Sequence, residues 1–323
     1  MYAWLRKTIK GQTMINTIDK KPVDTRHVSI KPFVKWAGGK SQLLNEIKKI
    51  YPDELGKRIT KYAEPFVGGG AVLFDILSNY KLDKLYIGDL NAELINAYQI
   101  IKNDVQELIT VLKRLSKEYF SFCDEQKKEY YYSTRKRFNS LKLSQNDSHS
   151  IEKAALFIFL NKTCFNGLYR VNKKGLFNVP VGSYKNPTIC DEDNLLNISD
   201  ALKKVIIVCG DYRLSDGFID EDTFVYFDPP YRPLSETASF TSYTKNNFGD
   251  EEQIELAKYV YKLEQRGAKI VISNSDPKNL EKKDEFFDKL YSTYQINRVF
   301  ATRMINCNGN SRGKIKELLI STF

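Results

Sequence analysis

The sequence predicts an α/β protein whose sheet is interrupted midway by a mostly helical insert. Strand and helix signals alternate in two separated regions, residues 31–100 and 204–323, as they do where strands join one sheet through helical crossovers. Residues 101–203 read differently, with helical periodicity and a run of interleaved aromatic and basic side chains. At 323 residues the chain can hold one large domain with a sizeable insertion, or two domains, since single cores stop growing at about 250–300 residues.

Taken in chain order, residues 1–30 carry Arg6, Lys7, Lys10, Lys20, Lys21 and Arg26 without the apolar stretch of a secretory signal, and read as a flexible basic extension. Tyr62 to Val67, then Gly68-Gly69-Gly70, then Ala71 to Leu77 read as strand, tight turn and helix. A second strand, Lys84 to Ile87, runs toward Asp89. Asp104-Val105-Gln106-Glu107 has the form of a capping box opening a helix with Leu108, Ile109, Leu112 and Leu115 on one face, and a further helix covers Ser150 to Lys162. Tyr130, Tyr131, Tyr132, Arg135, Lys136, Arg137 and Lys142, and later Lys162, Tyr169, Arg170, Lys173, Lys174, Tyr184 and Lys185, mix rings and cations. Such a mixture suits a surface that meets phosphates and bases, and equally a helix face of snorkelling side chains. In the last third, Val205 to Val208, Phe224 to Phe227 and Lys269 to Ile272 read as short buried strands. Asp250-Glu251-Glu252-Gln253 reads as the cap of the intervening helix, which Gly267 closes. Right-handed crossovers then bring the loops after each strand to one edge of the sheet, where open α/β proteins bind ligands.

Composition narrows the possibilities. No apolar run approaches the roughly 18 residues of a spanning helix. Fifty Lys and Arg against 40 Asp and Glu give a formal charge of +10, a field that favours a polyanionic partner or simply solvates the surface. Five scattered cysteines with no CxxC pair, and two histidines, argue for reduced cytoplasmic thiols and against a zinc site.

Two clusters carry chemistry. The glycine turn lets a ligand approach the backbone, and Asp89 lies where an acid commonly holds ribose hydroxyls in such folds. GGG followed by an apolar helix fits poorly to the GxGxxG of a nicotinamide dehydrogenase, and a plain turn without ligand remains open. More specific is the apolar strand that delivers Asp228-Pro229-Pro230-Tyr231 to the loop edge. An exocyclic adenine amine is a poor nucleophile because its lone pair is delocalised into the ring. Asp228 can accept one of its N–H groups and the Pro229 carbonyl the other, turning the lone pair out of conjugation, while Tyr231 offers a face on which an extruded base stacks. The nitrogen then turns toward a methyl donor.

These segments resemble the Dam-like family of DNA adenine methyltransferases, whose members act on GATC. The likeness spans about Lys31 to Phe323 and rests on Lys31-Pro-Phe-Val-Lys-Trp-Ala-Gly-Gly-Lys40, Glu64-Pro-Phe-Val-Gly-Gly-Gly70, Gly88-Asp-Leu-Asn-Ala-Glu-Leu94, Phe165-Asn-Gly-Leu-Tyr-Arg-Val-Asn172, Asp228-Pro-Pro-Tyr231 and Ser311-Arg-Gly-Lys314. Their order is that of the α group of amino-methyltransferases. It implies a Rossmann-like S-adenosylmethionine-dependent methyltransferase sheet, built from residues 31–100 and 204–323, around a mostly helical DNA-recognition insert at 101–203. By resemblance, Trp36, Ala37, Gly38 and Lys40 pack beside the methionine part of the cofactor next to Phe66 and Gly68, and Asp211 contacts its adenine end; Asp228 adjoins it too. Lys35 is similar to a lysine that contacts the first guanine, and Arg170 to an arginine that reads another position. Phe165 takes the place of an intercalating aromatic where many relatives carry Tyr, and Asn166 meets the orphaned base. Ser235, Thr237 and Thr241 fall in a hydroxyl-rich loop that grips phosphates. The expected partner is double-stranded DNA, with no metal, no membrane contact and a cognate restriction endonuclease as a further candidate. Rival readings are a protein or RNA methyltransferase, which Asp228 disfavours, a DNA-binding protein without catalysis, and a dehydrogenase.

Overall fold

A computed structural model describes residues 30–144, 150–232, 248–302 and 314–323. The extension expected over residues 1–30 lies, Ile30 apart, outside the described residues, as do Ser235, Thr237 and Thr241 and most of the Ser311–Lys314 motif. Seven strands among the described residues form one sheet: β1 (Lys61–Glu64), β2 (Lys84–Asp89), β3 (Val205–Cys209), β4 (Thr223–Phe227), β5 (Lys269–Ser275), β6 (Gln295–Thr302) and β7 (Lys314–Ser321). Their order is β3-β2-β1-β4-β5-β7-β6. The first five are mutually parallel, and β7 runs antiparallel between β5 and β6. The carboxyl ends of five strands therefore share one edge, with the reversal of strand order between β1 and β4 at its centre.

Helices α1 (Leu44–Lys48), α2 (Ala71–Asn79), α3 (Ala92–Asn103), α4 (Val105–Ser121), α5 (Asp124–Leu143), α6 (Ser150–Thr163), α7 (Glu192–Leu202), α8 (Asp250–Glu264) and α9 (Phe286–Leu290) complete the described elements. Strand alternation sorts the core into two layers. Tyr62, Phe224, Tyr226 and Val271 face a cluster that runs through α2 and α3 into the insert, reaching Leu112, Phe138, Phe157 and Phe159. Ala63, Val225, Phe227, Ile270 and Ile272 face the opposite way, against Leu256, Val260 and Leu263 of α8 and Phe287 of α9. The α/β sheet and helical insert are as the sequence predicts, and none of the described helices is long and apolar enough to cross a membrane.

Several local expectations are corrected. β1 ends at Glu64 rather than Val67, because Pro65 has no N–H to extend a ladder. β3 is an edge strand, so Ile206 stays 46% exposed where a buried strand was expected. Asp104 stands at the cap position of α4, yet its side chain makes no capping bond. The cap of α8 is Gly249, with the Glu252 carboxylate accepting its N–H, so Gln253 is released from the role the sequence suggested. The ring-and-cation run on α5 is only partly turned into the fold: Tyr131 and Arg135 both donate to the Val179 carbonyl, whereas Lys136 is exposed and Arg137 makes a two-point ion pair with Glu152 at the surface.

The insert is fastened to the N-terminal segment by Asn161, a buried residue near the end of α6. Its side-chain oxygen accepts from Lys35 N, while its amide nitrogen donates to the Lys35 and Gly167 carbonyls. Asn161→Leu leaves these backbone groups without partners and is expected to cost about 3 kcal/mol in urea unfolding. A change below about 0.5 kcal/mol would mean that water replaces all of them.

Candidate active site and DNA-facing surface

The site lies at the carboxyl edge of the sheet. β4 is buried along its whole length and releases Asp228 into the loop immediately after it. Lys40, only 4% exposed, reaches this carboxylate from 188 positions away, with Nζ at 2.8 Å from Oδ2 and 2.7 Å from Oδ1. The same ammonium donates to the Gly38 carbonyl and lies 4.8 Å from the centre of the Tyr231 ring. Ser273, at the end of β5, donates to Asp228 Oδ1 at 2.9 Å. A carboxylate has about four acceptor positions. Lys40 and Ser273 occupy both on Oδ1 and one on Oδ2, which leaves Oδ2 able to accept once more. Tyr231 is steadied at its far end by a 2.6 Å hydrogen bond to Glu317 of β7.

Beneath them Glu64 is fully buried and accepts from the Tyr62 hydroxyl. Desolvation, reinforced by the Asp228 charge, pushes the Glu64 carboxyl well above the ordinary range, against the opposing pull of Tyr62 and Lys40. Its neutral form removes a second negative charge from under Asp228.

On the β2 side, Asp89 ends its strand and accepts from Gly68 N at 3.1 Å and Asn91 N at 2.8 Å. Burial raises its carboxyl and those backbone donors oppose the rise. Gly68 (φ +47°) cannot take a side chain: a Cβ there would stand 2.9 Å from the Trp36 ring, and one on Gly69 equally close to the Trp36 Cβ. Trp36 in turn stacks at 5.7 Å on Tyr169 of the insert. Phe66 meets Tyr212 and Phe248, forming an aromatic wall beside the glycine turn. Asp211 follows β3 as expected, but its carboxylate is engaged by Arg213 through the backbone N and a two-point ion pair that holds it below the usual carboxylate range. Ala37 is half-buried and Gly38 exposed, with open space where a Cβ would stand.

Of the residues expected to meet DNA, Lys35, Phe165 and Asn166 lie together around Gly167. An antiparallel hairpin runs from Cys164 to Val181, closed by Phe165 N on the Pro180 carbonyl and Asn178 N on the Arg170 carbonyl. The short 3-10 turn Phe165–Gly167 at its base presents Phe165, 50% exposed, and Asn166 in a left-handed conformation (φ 54°). Lys35 crosses Gly167 so closely that a Cβ there would meet its side chain at 2.5 Å, and its ammonium lies 4.0 Å from the Tyr184 ring centre. Arg170 is exposed, with Nε held by Asn178. Nearby, burial and then the like charge of Lys35 depress the Lys162 ammonium, so two cations crowd one locus. The structure thus sets Lys40 between the Gly38 carbonyl and the Asp228 loop. Lys35 lies over the Phe165–Gly167 turn, and Arg170 is held separately by Asn178. Ser273, Glu64, Asn161 and Glu317 were missed, because single polar residues on buried elements carry no sequence signal until their partners are known.

A seven-stranded sheet of this order, with a glycine turn after β1, an acid after β2 and Asp-Pro-Pro-Tyr after β4, defines an enzyme that transfers methyl groups to amino nitrogens. Residues 36–305 match the model of the D12 class N6 adenine-specific DNA methyltransferases, and the chain belongs to that family. Among similar proteins, the type II methyltransferase M.MjaIII of Methanocaldococcus jannaschii is 52% identical over 298 residues, covering 92% of this chain and all of that protein. The type II methyltransferase M1.LlaDCHI of Lactococcus lactis subsp. cremoris is 36% identical, covering 92% and 96%, and the DNA adenine methylase of Escherichia coli K12 is 35% identical, covering 90% and 94%. The chain is therefore an adenine-N6 DNA methyltransferase, and its family implies S-adenosylmethionine as methyl donor.

If Lys40 works through Asp228, Lys40→Met lowers kcat by on the order of 10²-fold while the KM for S-adenosylmethionine changes little. A loss confined to KM would instead make Lys40 a cofactor ligand. Glu64 supplies a pH test. Because its folded pKa is raised, its contribution to stability is fully present below the unfolded value of about 4.3 and is lost as pH rises through the folded value. Glu64→Gln should therefore melt higher than the parent at pH 8, with the difference closing as pH falls toward 4.3; a parent more stable than the variant at pH 8 would show that Glu64 is ionised and paired.

Proposed function

We propose that this enzyme methylates adenine N6 in duplex GATC after flipping the base out of the stack. The observation that carries the reading is the Asp228 carboxylate, fixed by Lys40 and Ser273 with an acceptor position left on Oδ2. That position takes one N–H of the target amine, and the Pro229 carbonyl takes the other, which returns the nitrogen lone pair to nucleophilic use. Tyr231, backed on one face by the Lys40 ammonium and tethered by Glu317, receives the flipped ring on the other face.

The residues present fit the methyl donor. Asp89 is an oriented carboxylate for ribose hydroxyls, Phe66 offers an aromatic surface to a purine, and the Gly68 turn admits a ligand to the backbone. Trp36, Ala37 and Gly38 complete this pocket, and Asp211 reaches it if its pairing with Arg213 is shared or exchanged. When bound, S-adenosylmethionine supplies an electrophilic methyl on a sulfonium. Asp228 does not ionise the amine beforehand, since an aromatic amine is far too weak an acid for a carboxylate to deprotonate. It holds the N–H in place, and the proton leaves once the alkylated nitrogen has become cationic.

For DNA, residues 101–203 act as the recognition insert. Lys35 and Arg170 read guanine edges, Phe165 wedges into the gap left by the flipped adenine, and Asn166 meets its former partner. Ser235, Thr237 and Thr241 contribute phosphate contacts. The names of two relatives as type II methyltransferases support a modification role alongside a restriction endonuclease of the same specificity.

The test uses labelled S-adenosylmethionine with a duplex holding one GATC and copies altered at each base. Label confined to the intact site supports the reading, and label in another sequence removes the roles given to Lys35 and Arg170. Asp228→Ala should reduce turnover by at least about 10³-fold with cofactor binding preserved; a folded variant that no longer binds cofactor would contradict the assignment.

A further inference from the structure

The first turn of α8 holds a residue that the reaction as described does not use. With Gly249 as cap and Glu252 closing the capping bond, Gln253 turns inward and is wholly buried. Its Nε2 donates to the Pro230 carbonyl at 3.1 Å, and its Oε1 accepts from Asn274 Nδ2 at 3.1 Å. Asn274, also wholly buried, adjoins Ser273 on β5 and accepts from Ser275 N through its own oxygen. The orientation of both amides follows from the chain of partners. The Pro230 carbonyl can only accept, so the Gln253 nitrogen faces it, and the Ser275 N–H can only donate, so the Asn274 oxygen faces that group.

We infer that Gln253 is a positioning residue for methyl transfer, aiming the Pro229 carbonyl and the Tyr231 ring through its grip on Pro230. The inference rests on the reading of Asp228 to Tyr231 as the reacting loop. Two prolines have fixed φ and no N–H, so this loop cannot tie itself into the sheet, and ψ at Pro229 and Pro230 remain its soft torsions. One end is held at the Asp228 carboxylate and the other at the Tyr231 hydroxyl. Gln253 adds the hold between them and divides the labour of the two proline carbonyls. That of Pro230 is satisfied by protein, whereas that of Pro229 is the one offered to the adenine. Burying an amide pair costs desolvation unless every partner is in place, so the arrangement defines one loop geometry rather than a range.

The experiment measures single-turnover methylation by the full chain on a duplex that the parent modifies, together with S-adenosylmethionine Kd, DNA KM and melting temperature. Q253L, which fills the space without a donor, is expected to slow methyl transfer by on the order of 10²-fold with Kd and KM within about threefold. Q253E separates positioning from bulk. Protonated, the introduced carboxyl donates O–H to Pro230 and accepts from Asn274; ionised, it faces the carbonyl with a repelling charge. Its rate should approach the parent's at low pH and fall toward that of Q253L as pH rises, against the parent's own profile. A folded Q253L within about threefold of the parent rate overturns the inference, as does a Q253E profile parallel to the parent's. If Q253L does not fold, the Q253E profile decides. Asp228→Ala, run in parallel, tells the two readings apart: its retained activity would sink the assignment of the loop, whereas its inactivity beside a fully active Q253L would sink only the role of Gln253.

Discussion

A buried ammonium group governs the arrangement of this site. Lys40 is almost wholly enclosed, and an enclosed cation is stable only when its charge and its three donors are matched. The match comes from Asp228, on a strand 188 positions later, and from the Gly38 carbonyl. Bringing these groups together fixes the N-terminal segment against the end of β4 before any ligand enters. It also restricts what can lie beneath. A second ionised carboxylate would upset the balance, and Glu64 is accordingly driven toward its neutral form by burial and by the Asp228 charge.

The same short segment settles the relation between the glycine turn and the Cys164–Val181 hairpin. Trp36 packs against Gly68 and Gly69 on one side and stacks on Tyr169 on the other. Lys35, one residue earlier, lies over Gly167 and has both its backbone polar groups bound by Asn161. The Tyr169 hydroxyl donates to Glu93, which also pairs with Lys142 of α5, so α3 and the insert are joined by a second polar contact close to Asn91 and Asp89. Side chains from Lys35 to Lys40 thus touch the hairpin, the glycine turn and the Asp228 loop in succession.

Much of this architecture is visible in the sequence because it rests on local chemistry. Apolar runs at Tyr62, Lys84, Phe224 and Lys269 declare the parallel strands, the three glycines declare the turn, and Asp228-Pro-Pro-Tyr231 declares the reacting loop. What the sequence hides is pairing. Lys40 reads as one more residue in a basic segment until Asp228 is seen beside it, and Ser273 is an unremarked hydroxyl at the end of an apolar strand. Gln253 misleads more actively. Its spacing from Asp250 imitates a capping box, and only the one-residue shift of the cap to Gly249 shows that its amide points into the core. The ring-and-cation run on α5 misleads in the opposite sense, since its composition suggests a nucleic-acid surface while Tyr131 and Arg135 hold the hairpin at Val179 and Arg137 pairs with Glu152 of α6.

The need for so many distant partners follows from the motif itself. Placing two prolines after the Asp228 carboxylate removes two N–H groups from the loop, so ladder hydrogen bonds that would ordinarily continue β4 are not available to orient it. Orientation must come from side chains on other elements, and it does: Lys40 from the N-terminal segment, Ser273 and Asn274 from β5, Gln253 from α8 and Glu317 from β7. Both proline carbonyls lie beyond the strand pairing, and Gln253 takes that of Pro230. The four-residue motif names the reaction, but the accuracy with which it is performed is distributed over the carboxyl ends of the sheet. Substitutions that leave the motif intact are therefore expected to slow methyl transfer from four separate parts of the chain.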